Sequence, residues 1–272
     1  MEQAPPNEVI AAFGLSGTPQ RLAGGQGETW RVGDAVLKRA DDTDEAAWVA
    51  DVLETVRDTG FRVPRPFRTR AGDWIVGGWT AQTFVAGAHA RDRWSETLMA
   101  CDAFHRALAH LPEPAFVRRR TDPWAVADRL AWSDGPIDVD PRLAPLLVPL
   151  TPLRGQVSAP SQAIHGDFTE NVLFADPLAP AVIDFSPYWR PAAFAKAVVV
   201  VDALTWRNAE ADLVDALAVD PEGAQMLLRA LLRRLIEIDR HWRQRGRDGF
   251  SQLPAYERTA ALVRSAVSGV AP

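Results

Sequence analysis

The chain has 272 residues, 47% of them hydrophobic and 24% charged, with a net charge of -5 and a sequence pI near 5.6. This is a globular composition, long enough for one large domain or two modest ones. The acidic balance excludes a general nucleic-acid binder, which needs a basic excess to track phosphates.

A single cysteine, Cys101, excludes an intramolecular disulfide and fits a reducing cytoplasm. Residues 1–17 lack the basic start and apolar run of a signal peptide. The most apolar stretch, 197–204, is too short to span a bilayer and contains Asp202. The expectation is a cytoplasmic protein with neither membrane nor nucleic-acid partners.

In chain order, residues 21–23, 28–32 and 35–39 read as strands. Gly24-Gly25-Gln26-Gly27 is a flexible loop between the first two, and Gly33-Asp34 a tight hairpin turn between the others. Residues 45–58 carry Trp48, Val49, Val52, Leu53 and Val56 at helical spacing, after capping residues at 41–44 and before Gly60. Residues 67–69 and 74–79 read as two more strands around Ala71-Gly72-Asp73.

From Arg91 onward the chain reads as helical. Ser95 can cap a helix running to about His110, and Asp122-Pro123 starts another, with proline just inside it. Residues 134–163 are proline-rich, with a short helix near 143–150. Further helices are expected near 192–207, 210–218, 222–245 and 252–268. The helix from Glu222 should bury Met226, Leu227, Leu231, Leu235 and Ile238 and point Arg229, Arg233 and Arg240 outward.

The run His165-Gly166-Asp167-Phe168-Thr169-Glu170-Asn171 carries the sharpest chemical signal. Residues 172–174 read as a strand, 176–180 as a turn and 181–185 as the return strand. Such a hairpin sets the start of the first strand beside the end of the second, which here means Asn171 and Asp184. An amide oxygen and a carboxylate are hard ligands suited to Mg²⁺, and Asp167 is a candidate base beside them. Alone, Asp167 is as readily a loop cap and Asp184 a turn residue.

Lys38 and Lys196 are the only lysines among 30 basic residues. A position that keeps a compact ammonium against that bias is a candidate for one that needs it. Lys38 lies on a strand just after the Gly24-Gly25-Gln26-Gly27 loop, whose backbone N–H groups can lie over phosphates. A carboxylate partner is expected on the next helix. Glu45 and Glu54 are nine positions apart, which at about 100° per residue puts them on opposite faces. The apolar set centres near Glu45, so Glu45 is expected to face Lys38. Phosphoryl transfer needs phosphates held, a bridging divalent metal and a group that deprotonates the acceptor; each has a candidate here.

These motifs resemble those of the aminoglycoside phosphotransferase and choline kinase superfamily, which is protein-kinase-like. The resemblance rests on His165-Gly166-Asp167, on Asn171 four residues after the aspartate, on Ile183-Asp184, and on the glycine loop and Lys38 upstream. It implies an α+β, two-lobed fold: a small β-rich N-terminal lobe (1–79), a hinge (80–87) meeting the purine, and a larger, mainly α C-terminal lobe (88–272). It implies ATP or GTP with Mg²⁺ in the cleft, Asp167 as base, Asn171 and Asp184 as metal ligands, and Lys38 on the phosphates. Glu45 and Gly24, Gly25 and Gly27 complete the expected nucleotide set. The activity implied is transfer of the γ-phosphate to a hydroxyl of an amino sugar, aminoglycoside-like molecule, sugar or amino alcohol. A nucleotide-binding protein without catalysis, or one transferring a nucleotidyl group, is the alternative.

Phe185-Ser186 departs from the Phe-Gly of protein kinases, and helix is expected almost at once, leaving no activation segment. The first removes a glycine hinge, so no protein-kinase-like flip of this segment is expected; the second favours a small acceptor over a protein. His165 is expected to brace the loop, Asp202 to be structural, and His105 to be a packing or surface residue. Of ten tryptophans, Trp94, Trp124, Trp132, Trp189 and Trp206 are among those in the α lobe. Tyr188-Trp189-Arg190 is the trio best placed to line the acceptor side. Asp128, Asp134, Asp138 and Asp140 form an acidic stretch that would attract an amino group or simply be solvated.

Overall fold

The structure, a computed structural model, describes residues 4–22, 29–57 and 59–269. Its elements begin with helix α1 (Asn7–Ala12), strands β1 (Gln20–Arg21), β2 (Thr29–Val32) and β3 (Ala35–Arg39), helix α2 (Thr43–Thr55) and strand β4 (Trp79–Thr83). Helices α3 (Trp94–Leu108), α4 (Phe116–Arg119), α5 (Pro123–Trp132) and α6 (Ala144–Leu147) follow, then strands β5 (Gln162–His165), β6 (Val172–Ala175), β7 (Leu178–Val182) and β8 (Pro187–Arg190). Helices α7 (Ala192–Trp206), α8 (Pro221–Arg245) and α9 (Leu253–Gly269) close the chain. The chain divides into two compact units, Met1–Ala90 with Val172–Phe185, and Arg91–Asn171 with Ser186–Pro272.

The first unit is built on an antiparallel sheet in the order β1-β2-β3-β4. Gly33, at φ 57°, makes the two-residue turn that pairs Val32 with Ala35. Val32, Ala35, Leu37, Trp79 and Ala81 pack with Val9, Ile10 and Phe13 in one apolar cluster. Helix α1 is absent from the sequence reading because its 6 residues are too few for a helical period to register. The side chain of Asp42 accepts hydrogen bonds from the backbone N–H groups of Asp44 and Glu45 and so starts α2.

The strands expected at 67–69 and 74–79 do not form. Gly77 and Gly78 both have positive φ, 57° and 76°, and fold Val76 back onto Trp79. Strand β4 therefore begins at Trp79 and takes up residues 80–83 of the segment read as a hinge. The β6–β7 hairpin is joined to this unit by backbone bonds. Ala88 and Phe174 exchange bonds of 2.9 Å, and the N–H groups of Arg62 and Val182 donate to Pro180 and Arg62 at 2.8 Å. Leu178, Ala179 and Pro180, expected in the turn, are already strand, and the return strand stops at Val182.

In the second unit α8 packs against α5, α7 and α9. This overturns the expected outward placement of its arginines: Arg229 and Arg233 are 3% and 1% exposed, and Arg240 is half-buried. A helix covered on several flanks must bury polar groups too, and these are hydrogen-bonded, as burial demands. Arg229 donates to the carbonyls of Ala131 and Gly155, and Arg233 to Glu237 and to the carbonyl of Gly166. Between Phe185 and α7, where helix was expected almost at once, lies β8. It pairs antiparallel with β5, Gln162 opposite Arg190 and His165 opposite Pro187. Helix α3 starts at Trp94, ahead of the expected Ser95 cap. Helix α7 is apolar all round and buried at 197–204, and no helix among the described residues is long and apolar enough to cross a membrane.

His105 is a brace between elements. Its Nδ1–H donates to the carbonyl of Cys101 at 2.7 Å, and its Nε2 accepts the backbone N–H of His165 at 2.9 Å. Burial pushes its pKa down to about 3. The folded protein thus keeps His105 neutral while the unfolded chain takes up a proton near pH 6.5. Its stabilisation is full above pH 6.5 and is lost as the pH falls toward 3. Between pH 6 and 4, the unfolding free energy of the wild type should fall more steeply than that of His105→Gln, by up to about 1.4 kcal/mol per pH unit. Urea titrations across that range check it; parallel slopes refute it.

Candidate functional site

In the first unit, Lys38 stands on β3 between Thr29 of β2 and Thr80 of β4. Its Nζ lies 2.7 Å from Oδ1 of Asp184, 146 residues later. Asp184 follows β7 with φ 52°, a left-handed backbone that a short polar side chain tolerates better than most. The next residue, Phe185, is buried with its ring 5.9 Å from that of Trp48 on α2. So the hairpin, the left-handed turn and the aromatic anchor aim the Asp184 carboxylate at the ammonium. Glu45, at the third position of α2, is half-buried, whereas Glu54 is exposed, as the helical spacing predicts. The carboxylate beside Lys38 in this structure is Asp184. Gly24, Gly25 and Gly27 lie outside the described residues.

In the second unit the His165-Gly166-Asp167 loop leaves β5. The Nδ1 of His165 accepts the backbone N–H of Asp167 at 3.2 Å, which is the bracing role expected of it. Gly166 donates its N–H to the carbonyl of Ser186 at 2.9 Å, and its own carbonyl accepts from Arg233. The Tyr188 ring lies so close that a Cβ on Gly166 would sit 2.2 Å from Tyr188 Cδ2, so this position has no room for a side chain. Phe168 is fully buried among the rings of Phe104, His105 and His165. Asn171 donates Nδ2–H to the carbonyl of Asp167 at 2.6 Å, which leaves Oδ1 without a protein donor among the described residues.

The side chain of Asp167 is 52% exposed, and its Oδ1 accepts from Arg234 at 2.8 Å. Arg234 also binds Asp202 at 2.6 Å and Glu237 at 3.0 Å, and Asp202 accepts from the Thr169 hydroxyl at 2.7 Å. Desolvation works against ionisation of Asp167, but the charge and hydrogen bond of Arg234 outweigh it and hold its pKa below the usual carboxylate range. Burial pushes Asp202 up despite Arg234. Arg234 itself, buried among three carboxylates, is held well above its ordinary value. Nothing in the sequence marked Arg234. It belongs to a helix whose polar face was read as solvated, and its partners come from the loop and from α7.

The donor chemistry of Asp184 in the first unit and of Asn171 in the second suits magnesium. Asp184 offers a carboxylate and Asn171 a free amide oxygen, both hard donors, and magnesium takes few protein ligands beside phosphate oxygens and water. Among the described residues no group of three or more His, Cys, Asp or Glu could hold a metal by itself.

Tyr188, Trp189 and Arg190 line a cavity in the second unit. The acidic stretch is largely neutralised within the protein. Asp128 is buried and paired with Arg190, Asp140 with Arg142, and Asp138 with Arg243.

No family model matches the chain, and no curated protein matches it in sequence. Solved structures do. An aminoglycoside phosphotransferase from Alicyclobacillus acidocaldarius superposes with a TM-score of 0.67 at 18% identity, over 99% of this chain and 96% of that one. Choline kinase LicA from Streptococcus pneumoniae gives 0.61 at 11% identity, over 95% and 97%. A spectinomycin phosphotransferase, solved with ADP and spectinomycin, gives 0.60 at 12% identity, over 95% and 96%. The small antiparallel sheet of the first unit and the larger helical second unit are thus those of a protein-kinase-like α+β fold, and the chain shares the fold of the aminoglycoside phosphotransferase and choline kinase superfamily.

Proposed function

We propose that this protein is a small-molecule kinase that transfers the γ-phosphate of ATP or GTP to a hydroxyl group, with Mg²⁺ as cofactor. The observation that carries the reading is the 2.7 Å pair of Lys38 and Asp184. It brings an ammonium suited to phosphates and a carboxylate suited to a metal onto one another across 146 residues of sequence. Lys38 holds the α and β phosphates, with Glu45 and the backbone of Gly24, Gly25 and Gly27 completing the nucleotide set. Asn171 and Asp184 would hold the metal, which would supply positive charge against the phosphates. Asp167 orients the acceptor hydroxyl and takes its proton. The bond from Asn171 to the Asp167 carbonyl supports this, because it fixes the loop that presents the carboxylate. The similar folds of an aminoglycoside phosphotransferase, a spectinomycin phosphotransferase and a choline kinase support a small, sugar-sized acceptor. The buried thiol of Cys101 suits a reducing cytoplasm.

The test is direct. ATP with Mg²⁺ should raise the melting temperature more than ATP alone, and ATP should be consumed with at least one member of a panel of sugars, amino sugars, sugar acids and amino alcohols. A melting temperature indifferent to ATP and GTP refutes the reading.

A further inference from the structure

The cavity of the second unit has a volume of about 100 Å³ and is lined by Arg118, Arg120, Arg129, Arg190, Tyr188 and Trp189, with Glu113 and Asp128 among the other lining residues. Its charges do not cancel. Arg118 forms a two-toothed pair with Glu113, Arg120 pairs with Asp122 at 2.8 Å, and Arg190 with Asp128 at 2.6 Å. Arg129 is exposed and makes neither hydrogen bond nor ion pair among the described residues. One guanidinium therefore stands free, and Arg118, whose side chain is 78% exposed, is held only by a surface pair of the kind that contributes little.

Two of the lining residues also carry a buried polar atom without a protein partner. Arg190 Nε is a buried donor without an acceptor, and Asp128 Oδ1 a buried acceptor without a donor. Unmet buried groups are costly. The half-buried indole of Trp189 offers an apolar face. Tyr188 keeps its proton, because burial pushes its hydroxyl up to about 12. Tyr188 also ties the cavity to the proposed base. Its ring lies against Gly166, the residue before Asp167, and Arg233 stacks on it at 4.4 Å. The volume equals that of roughly three waters, enough for one ionised head and not for a ring system.

We propose that this cavity binds the anionic head, carboxylate or phosphate monoester, of a polyhydroxylated small molecule through Arg129, Arg118 and Arg190. Resting on the phosphoryl-transfer reading, we infer that this molecule is the acceptor, its head in the cavity while another of its hydroxyls meets Asp167. Cationic amino sugars are then the wrong charge for this wall.

Binding is measured calorimetrically on the full chain without nucleotide, with D-gluconate, glucose 6-phosphate, glucose and glucosamine. At least one of the two anions should bind 10-fold or more tighter than glucose and glucosamine, and which one binds tells carboxylate from phosphate. Arg129→Ala should weaken that anion about 10-fold and leave the melting temperature unchanged, since Arg129 is exposed and makes no hydrogen bond or ion pair among the described residues; Arg129→Lys should restore part of the loss. Glucosamine binding as tightly as the anions, no binding of either anion, or an anion affinity indifferent to Arg129→Ala overturns the proposal. The two readings fail separately. If the anion binds through Arg129 but no phosphate is transferred to it while another acceptor consumes ATP, the cavity stands and the acceptor assignment falls. If ATP with Mg²⁺ neither binds nor is consumed, the kinase reading falls and the cavity remains.

Discussion

Asp167→Asn is expected to lower kcat by about 10²- to 10⁴-fold, the range in which a positioned general base contributes. The amide keeps an oxygen where Oδ1 now accepts from Arg234 at 2.8 Å, so the loop should hold its shape. What it loses is the capacity to take a proton. Nucleotide binding should survive, because the residues assigned to phosphate and metal are Lys38, Asn171 and Asp184. Single-turnover kinetics with a melting curve in ATP and Mg²⁺ separate the two effects. Unchanged turnover removes Asp167 from the reaction; loss of both turnover and nucleotide stabilisation shows damage beyond the base.

The second large effect concerns stability. Arg234 is the common partner of Asp167, Asp202 and Glu237, and the last two are 7% and 9% exposed. Arg234→Met would leave the buried Asp202 without its counter-charge and Glu237 with Arg233 alone. Breaking a buried pair from one side costs about 3–5 kcal/mol, and this is the loss expected in urea unfolding at pH 7.5. The pH dependence follows from Asp202. Burial already raises its pKa, and without the guanidinium it rises further. A carboxyl whose folded pKa lies above its unfolded value, about 3.9, contributes stability at low pH and loses it as the pH rises. The deficit of the variant should therefore be largest near pH 8 and shrink toward pH 5. A deficit below about 1 kcal/mol, or one that grows on acidification, contradicts this account of the cluster.

Much of the fold was legible in the sequence because its cues are local. The β2–β3 hairpin shows in Gly33-Asp34, the start of α5 in Asp122-Pro123, and the course of α8 in apolar residues three and four apart. Where the reading failed, the deciding interaction was distant. Residues 74–79 have strand composition, but Gly77 and Gly78 spend them on a turn. Residues 187–190 form a strand only because β5 lies alongside. The arginines of α8 look like a solvated face, since nothing in their own helix reports that Asp202, the Gly166 carbonyl and Tyr188 wait on the other side. The same holds at the site. Asp167, Asn171 and Asp184 announce themselves by spacing, whereas Arg234 and His105 act through partners 67 and 60 residues away.

The grip of Arg233 on the Gly166 carbonyl has a consequence for motion. Loops ordinarily open at little free-energy cost, well below global unfolding. This one is bound by a guanidinium that is 1% exposed, by the backbone of Ser186 and by the buried ring of Phe168. To swing free it would have to drag Arg233 out of the interior or leave it unpaired there. The amide hydrogen of Gly166 should then exchange with solvent as slowly as those of α8, and the carboxylate that the loop carries is held in position before any ligand arrives. Any motion that accompanies ligand binding is then expected outside the segment that carries Asp167.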